Sequence, residues 1–560
     1  MLALERRQTV TVCQNHGSFS RTGAVYINPF DYIIIGAGTA GCVLAQRLSA
    51  RGRNRVLVLE AGGSDRRLWI QVPIGYGRTY NDPRVNWMYE TEPDPGLNGA
   101  RSFWPRGKVV GGSGAINAMV YVRGQPADFD DWAASAHPGW SWADVRPVFE
   151  ALENRADGGI GSLRVTDANP MAHPLCRAYI QSCEALGYRY TPDFNGQQTE
   201  GVGIYPVTTR GGLRESTARA YLRPALVQPN LTLKLRAQVR QIDFEGLRAA
   251  GVSYLWRGRM QRAQAARAVI LSAGSINSPQ LLQLSGIGDP ALLARFGIQL
   301  RHAAPAVGRN LQDHLGINYV YRSRIPTLNN ALYPLGGKIR AALEFLLRRR
   351  GPLSMSVNQG GGFIRSSPDQ PAPDLQLYFN PASYTGTRTR NRRLMNPDPF
   401  PGFLLSFNSC RPTSRGHLEI RSADPDIPPA IFPNYLATGR DLEDVLLGAR
   451  LLRRIAATPP LAALIESELL PGTQLQSDEA LLQDFRQRAG SVFHPVGTCA
   501  MGNDAPRAVV DARLRVHGVA SLRVVDASVF PSITSGNTNA PVTMVAERAA
   551  AMILEDEAGA

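Results

Sequence analysis

Cysteine is scarce in this chain of 560 residues. There are six cysteines, none of which forms a C-x-x-C pair or stands at zinc-finger spacing from a histidine. So few cysteines in a long chain indicate a reducing compartment rather than a disulfide scaffold. We therefore expect a cytoplasmic protein with no metal site.

Long hydrophobic runs are also missing. No apolar stretch reaches the length of a membrane-spanning helix, so we expect no transmembrane segment. The first 28 residues are polar and contain no stretch of signal-peptide length, and we expect residues 1–28 to form a disordered N-terminal arm. Peripheral contact with the inner membrane remains open.

Lysine is nearly absent, although the chain is strongly basic. Its 61 basic residues include only Lys108, Lys234 and Lys338, and its formal net charge is +15. The excess of arginine is typical of a codon bias, and the arginine runs 348–350 and 388–393 lack interleaved aromatic residues. With no nucleic-acid-binding motif beside the charge, we expect no nucleic-acid partner. No G-x-S-x-G elbow is present either, which argues against a serine hydrolase.

The first recognisable unit begins at Asp31. Residues 31–35 form a short apolar run that predicts a buried parallel strand, and a glycine-rich turn, a helical pattern and a second apolar strand, 55–60, follow. In the turn, Gly36 permits the tight bend, Gly38 lets the backbone approach a pyrophosphate, and Gly41 allows close helix packing.

This unit predicts a dinucleotide site. Thr39 and Ala40 begin the helix, whose backbone amides and dipole favour phosphate. Glu60 ends the second strand, with Ala61 after it, and a carboxylate there can accept hydrogen bonds from both ribose hydroxyls. The fingerprint alone does not distinguish FAD from NAD.

The pattern of predicted secondary structure changes twice along the rest of the chain. Residues 231–268 alternate as in a β-meander, a buried strand is expected at 268–273, and a helix at 277–284. Residues 315–490 predict an antiparallel sheet with long loops and a helix at 442–457. Residues 491–556 return to the first pattern, in which buried strands alternate with helices, with a strand at 522–526 and a helix at 540–553.

Five further motifs, in order along the chain, resemble the glucose-methanol-choline oxidoreductases. Their resemblance covers residues 31–553, and it is closest to the bacterial choline and alcohol dehydrogenases of that family. The motifs are GKVVGGSGAINAMVYVRG at 107–124, GSINSPQLLQLSGIG at 274–288, HPVGTCAMG at 494–502, VDASVFP at 525–531 and GNTNAP at 536–541.

The resemblance implies a fold and a division of the chain. The expected class is α/β: a discontinuous, doubly wound FAD-binding domain with an antiparallel-sheet substrate domain. The FAD-binding domain would comprise 29–155, 215–314 and 491–556. The substrate-binding domain would comprise 156–214 and 315–490.

The resemblance also implies cofactor contacts. The turn before Asn117 and the residues after it would line the flavin, Val239 would lie near the adenine, and Asn539 would contact flavin or backbone. Some members attach FAD covalently through a histidine where this chain has Ile116, so we expect noncovalent FAD. The expected contacts beyond the first fingerprint are Gly111, Gly112, Ser113, Asn117, Ala118, Met119, Val120, Val239, Asp526, Ala527 and Asn539.

Two residues match the family's catalytic positions. Histidine suits proton abstraction near neutral pH, and His494 would take the hydroxyl proton while flavin N5 accepts the hydride. The amide of Asn537 would hydrogen-bond the substrate oxygen. His314 fits a family loop, for which we expect a structural role.

The resemblance thus predicts FAD-dependent oxidation of a primary alcohol to an aldehyde, with electrons passed to a quinone or another carrier. Three alternatives stay open: an oxidase that uses oxygen, a member resembling hydroxynitrile lyase in which FAD is structural, and a flavin-binding protein that no longer uses its base. The alcohol is not identified. Candidates for aromatic substrate contacts are Trp87, Tyr378, Phe379 and Tyr384.

Overall fold

The computed structural model describes residues 29–135, 138–156, 158–384 and 396–559. Two seven-stranded sheets organise this part of the chain. The expected disordered arm, residues 1–28, and the arginine run 388–393 lie outside the described residues.

The first sheet is built on the predicted strand, turn, helix and strand unit. Strand Phe30–Ile35 pairs in parallel with Val56–Glu60 on one side and with the end of Arg259–Leu271 on the other. Leu231–Leu235 extends the sheet in parallel beyond Val56–Glu60, and Leu522–Val524 does so beyond Arg259–Leu271. Parallel strands end at one edge of a sheet, which is where ligands bind in such folds.

The predicted meander over 231–268 is wrong for its first strand. Leu231–Leu235 belongs to the parallel part of the sheet, and only Ala237–Glu245, Arg248–Trp256 and Arg259–Leu271 run antiparallel to one another. Apolar alternation indicates a strand but does not determine the direction of its partner.

The second sheet is antiparallel and lies across the cavity described below. Its strands Leu315–Ser323, Leu375–Asn380 and Gly402–Ser409 contribute side chains both to a large apolar core and to the cavity wall. Strand Gly490–Ser491 pairs with Leu315–Ser323, and the loop that follows it, residues 492–495, carries His494 and is called the histidine loop below. The main strand order is Ile465–Leu470, Leu315–Ser323, Gly402–Ser409, Leu375–Asn380, Gly360–Ile364 and Gly201–Ile204.

Helices cover the sheets. Thr39–Ser49 packs against Asn539–Ala558, and the contact includes an ion pair of 2.6 Å between Arg47 and Glu547. Among the described helices, none is both long and apolar enough to cross a bilayer. The α-helices are Thr39–Ser49, Leu68–Gln71, Tyr76–Thr79, Pro126–Ala134, Trp142–Leu152, Leu175–Ala185, Arg223–Ala225, Gly274–Leu284, Pro290–Arg295, Leu328–Leu332, Leu335–Arg348, Gly439–Ala457, Leu461–Leu464, Asp478–Arg488 and Asn539–Ala558.

Within the described ranges, five small strand pairs complete the architecture. They are Tyr89–Glu90 with Phe103–Trp104, Glu153–Asn154 with Leu163–Arg164, Thr209–Arg210 with Leu213–Arg214, Ile287–Gly288 with His302–Ala303, and His417–Glu419 with Ala430–Phe432. The predicted fold class, a parallel nucleotide-binding α/β unit joined to an antiparallel sheet, is confirmed. The domain boundaries stay a prediction.

Candidate active site

Two glycine turns meet backbone to backbone at the end of the first strand. Gly36 has φ +98°, and a Cβ at this position would lie 2.6 Å from the Ser272 carbonyl oxygen. A Cβ at Gly112 would lie 2.7 Å from the Cα of Gly38, and the Gly111 amide donates to the Ala37 carbonyl over 2.7 Å. Side chains would separate the two turns, so this packing requires glycine.

A single large cavity of about 1420 Å³ runs from these turns to the second sheet. Ordinary ligand pockets measure roughly 300–1,000 Å³, so this cavity has room for a dinucleotide and a second molecule. Gly41 and Gly111 lie behind its wall: a Cβ at Gly41 would be 2.0 Å from the Gly36 carbonyl oxygen. Of the predicted residues, the wall contains Gly36, Gly38, Thr39, Ala40, Glu60, Ala61, Gly112, Ser113, Asn117, Ala118, Met119, Val120, Val239, His494, Asp526, Ala527, Asn537 and Asn539.

Glu60 is held by the turn that it faces. Its carboxylate accepts hydrogen bonds from the amides of Ala37, at 2.8 Å, and Gly62, at 2.7 Å. Burial raises the pKa of Glu60, and these two hydrogen bonds oppose the rise. A carboxylate has about four lone-pair sites, so each oxygen keeps one for a ribose hydroxyl.

Asp526 lines the cavity, but its carboxylate is hydrogen-bonded to neighbouring protein groups. The carboxylate accepts from the amides of Gly274 and Ser528, each at 2.8 Å, and from Ser278 Oγ at 2.6 Å. It thereby fixes the start of helix Gly274–Leu284. Ala527, beside it, also lines the cavity.

Asn117 is fixed by a buried arginine that no sequence motif indicated. Its Oδ1 accepts from Arg214 Nη1 at 2.8 Å and from the amide of Met119 at 3.0 Å. Burial lowers the pKa of Arg214 to about 9. Met119 has φ +64°, an unusual conformation for a residue with a side chain, and such strain is common at ligand sites.

His494 lies at the far end of the cavity, between two side chains. Its Nε2 is 3.1 Å from Asn537 Nδ2, and its Nδ1 is 2.9 Å from His314 Nδ1. His314 Nε2 in turn is 3.0 Å from the Cys410 carbonyl oxygen. The structure thus brings the two predicted catalytic residues together and adds His314, for which the sequence suggested only a structural role.

This chain of contacts determines which nitrogen of His494 carries the proton. The Cys410 carbonyl can only accept, so His314 donates from Nε2 and accepts at Nδ1. His494 must then donate from Nδ1, which leaves a lone pair on Nε2. Asn537 Oδ1 accepts from Gln376 Nε2 over 3.4 Å, which orients the Asn537 amide with Nδ2 toward His494.

Both imidazoles are neutral near pH 7. Burial, the neighbouring His314 and the charge of Arg106 together hold the pKa of His494 well below its usual range. Burial lowers the pKa of His314 to about 4. His494 is therefore in its base form across the neutral range.

The backbone of the histidine loop is held from both sides. The amide of His494 donates to Asp313 Oδ1 over 2.7 Å, and Arg106 Nη2 donates to the Phe493 carbonyl over 2.7 Å. Burial raises the pKa of Asp313 to about 6 and lowers that of Arg106 to about 10. Asp313 adjoins the family loop that suggested His314, but nothing in the sequence pointed to Arg106.

The second sheet presents a polar surface to the cavity. Among the described residues of this surface, Asn380 Oδ1 and Asn408 Oδ1 are buried without a hydrogen-bond partner. Buried polar groups are normally paired, so these atoms are available to a ligand.

The predicted aromatic candidates separate into two groups. Tyr378, Tyr384 and Trp87 line the cavity, whereas Phe379 is fully buried and packs against Tyr179 and Phe403. Phe379 is therefore wrong as a substrate contact, because it points to the opposite face of its strand from Tyr378.

The cavity, the paired glycine turns and the neutral histidine fit a site that binds a nucleotide and removes a proton from a second molecule. Models of the GMC oxidoreductase family match residues 30–316 and 412–546. The chain belongs to this family, and its cofactor is FAD. The glycine cradle, the buried Glu60 and the cavity volume all fit that group.

Individual relatives span nearly the whole chain. An alcohol dehydrogenase [acceptor] of Pseudomonas putida is 40% identical over 537 residues, covering 94% of this chain and 96% of the relative. A mitochondrial choline dehydrogenase of Mus musculus is 42% identical, covering 94% and 89%. The crystal structure of a pyridoxine 4-oxidase from Mesorbium loti superposes with a TM-score of 0.84 at 31% identity, covering 94% and 99%.

Proposed function

We propose that this protein oxidises a primary alcohol to an aldehyde, with His494 as the base. The observation that carries the proposal is the chain of hydrogen bonds from Cys410 through His314, which leaves the lone pair of His494 on Nε2. That nitrogen lies on the cavity wall beside Asn537. The similarity to an alcohol dehydrogenase supports the same reaction.

The chain's own residues account for binding and proton movement. The first glycine turn would hold the pyrophosphate of FAD, Glu60 its ribose, and the second glycine turn with residues 117–120 its ring. FAD, when bound, supplies an acceptor for the hydride of the carbinol carbon. The substrate hydroxyl would take the place of Asn537 Nδ2 at His494 Nε2: it gives its proton to Nε2, and its oxygen accepts a hydrogen bond from Asn537 Nδ2.

The charges on the cavity wall favour an uncharged alcohol over a quaternary ammonium. Among the described wall residues, the carboxylates are Glu60, Asp426 and Asp526. Glu60 and Asp526 follow strands of the first sheet, and Asp426 is paired with Arg240 at 2.7 Å. Near the imidazole, the positive charge of Arg106 lies on the wall and repels a cation.

The unpaired Oδ1 atoms of Asn380 and Asn408 add a preference among uncharged alcohols. They lie on the neighbouring strands Leu375–Asn380 and Gly402–Ser409, and both residues line the cavity. An alcohol with further hydrogen-bonding groups would pair with them, because leaving buried polar atoms unpaired costs binding energy.

Anaerobic mixing of the holoenzyme with single alcohols tests the reaction and the substrate class. Flavin absorbance should bleach with neutral alcohols, such as benzyl alcohol or a polyethylene glycol, at lower concentrations than with choline. If no alcohol bleaches the flavin, the redox proposal fails and a structural FAD is supported. If choline is the most efficient reductant, the charge argument fails.

The electron acceptor and the attachment of FAD are parts of the same proposal. We expect a quinone analogue to reoxidise the bleached flavin faster than air; the reverse order would make the protein an oxidase. We expect noncovalent FAD, since Ile116 lies on the cavity wall where a covalent link would need histidine. Acid precipitation should then release the yellow colour, and colour in the pellet would contradict noncovalent binding. We propose a cytoplasmic enzyme.

A further inference from the structure

Helix Leu335–Arg348 exposes an apolar stripe to solvent. Five apolar residues of this helix lie at positions 335, 339, 343, 346 and 347, a spacing that places them on one face. The stripe residues, with their exposed fractions, are Leu335 75%, Ile339 53%, Leu343 53%, Leu346 63% and Leu347 80%. Soluble proteins rarely expose a contiguous patch of this kind without a binding role.

The opposite face attaches the helix to the body of the protein. Ala341 and Phe345 are buried, and Phe345 packs in a small cluster with Val72 and Ile74. The carboxylate of Glu344, the helix's one acidic residue, lies against Gly351 rather than on the stripe. The stripe is therefore free of negative charge and faces away from the protein.

Cationic side chains flank the stripe. With a step of about 100° per residue, Lys338 and Arg340 fall on opposite sides of it. Both are exposed, and Arg348, Arg349 and Arg350 add exposed charge where the helix ends. A stripe of leucine and isoleucine between basic side chains is the pattern of helices that lie in the surface of an anionic bilayer.

The helix is close to the cavity by way of its packing cluster. Val357 packs in the same cluster as Phe345, and the next residue, Asn358, lines the cavity. On the other side Ile74 packs in this cluster, and Tyr76 lines the cavity. Exposed Leu68, at 65%, and Trp69, at 37%, precede Val72 along the chain.

We infer that helix Leu335–Arg348 docks the protein on the surface of an anionic membrane, with its apolar stripe in the lipid interface. Docking there brings the cavity close to the bilayer, where apolar alcohols and lipid-soluble electron acceptors partition. The inference rests on the helix and its charges, and it stands independently of the reaction proposed above.

Sedimentation of the holoenzyme with vesicles tests the inference. It should bind vesicles of phosphatidylglycerol and phosphatidylethanolamine, bind phosphatidylcholine vesicles far less, and lose binding as salt increases. In the double variant Leu343→Glu/Leu347→Glu, the partition coefficient should fall by about a hundredfold, because two leucines leave the interface. Lys338→Gln/Arg340→Gln should weaken binding to the anionic vesicles only.

Matched controls separate docking from loss of folding. Ile160→Glu/Val227→Glu changes two apolar residues that are 95% and 85% exposed elsewhere, and it should bind vesicles like the wild type. Flavin content and turnover with a soluble dye should be unchanged in all variants. Absence of binding to anionic vesicles, or undiminished binding by Leu343→Glu/Leu347→Glu, would overturn the inference. So would a wild-type dimer in solution that this variant converts to a monomer.

Discussion

Replacing His314 by leucine tests whether this residue controls the protonation of the base. His494 Nδ1 lies 2.9 Å from His314 Nδ1 and is buried, so the variant leaves its N–H without an acceptor. A buried donor left unpaired costs about 1–3 kcal/mol. The cost is avoided if the proton moves to Nε2, but that tautomer cannot accept the substrate proton.

We therefore expect kcat/KM for the alcohol to fall by about 5- to 150-fold, the ratio that corresponds to this energy. The acid limb of the pH profile should also move to higher pH, because His314 is one of the groups that lower the pKa of His494. Steady-state assays with a dye acceptor, normalised to bound flavin, measure both effects.

Two variants serve as controls. His314→Gln offers one acceptor and one donor, so it should restore most of the activity. His517→Leu removes a half-buried histidine that contacts the Gly502 carbonyl at 2.8 Å, and it should leave kcat/KM unchanged. Full activity and an unshifted pH profile in His314→Leu would refute the assignment of the proton to Nδ1.

Three further predictions concern cofactor retention and stability. Gly38→Val should give a folded protein without flavin. A Cβ at this position meets no protein atom closer than 3.8 Å, so the fold tolerates it, but the side chain would crowd the pyrophosphate of the cofactor. Circular dichroism checks the fold and absorbance checks the flavin content; a fully flavinylated variant would contradict the prediction. Arg214→Met should lower Tm, because it removes the donor to Asn117 Oδ1 and to the Ile70 carbonyl at a cost of about 1–3 kcal/mol; an unchanged Tm in thermal unfolding would oppose this. The depressed pKa values of His494 and His314 mean that the unfolded chain binds more protons below about pH 6.5, so their contribution to stability should be lost as the pH falls toward 4. Tm measured against pH should fall less steeply over this window in His314→Gln than in the wild type.

Much of the first sheet could be predicted, because its signals are local. The apolar run at 31–35 and the glycines after it predicted a strand and a turn, and the structure has Phe30–Ile35 followed by Gly36 at φ +98°. The helix predicted at 442–457 begins earlier, at Gly439. Its cap is Thr438, whose side chain accepts from the amide of Asp441. Threonine three residues before an aspartate is a capping signal that hydrophobic periodicity does not include.

The environment of the histidine was less predictable, because it depends on contacts between distant segments. His494 and His314 are 180 residues apart in the chain. The third group in this chain of hydrogen bonds is the backbone carbonyl of Cys410, and no sequence motif marks a backbone carbonyl. Arg106 acts on the loop through the Phe493 carbonyl, 387 residues away. Motifs indicated most of the residues that line the cavity, while the partners that orient them depend on the tertiary fold.

In the proposed reaction the lone pair on His494 Nε2 takes the substrate proton. The rate of flavin reduction, followed by stopped-flow absorbance under anaerobic conditions in the wild type and in His494→Ala, tests this role. We predict a rate lower by about 10²–10⁴-fold in the variant, with flavin still bound, as expected for loss of a general base. An undiminished rate of reduction in flavin-loaded His494→Ala would show that His494 is not the base.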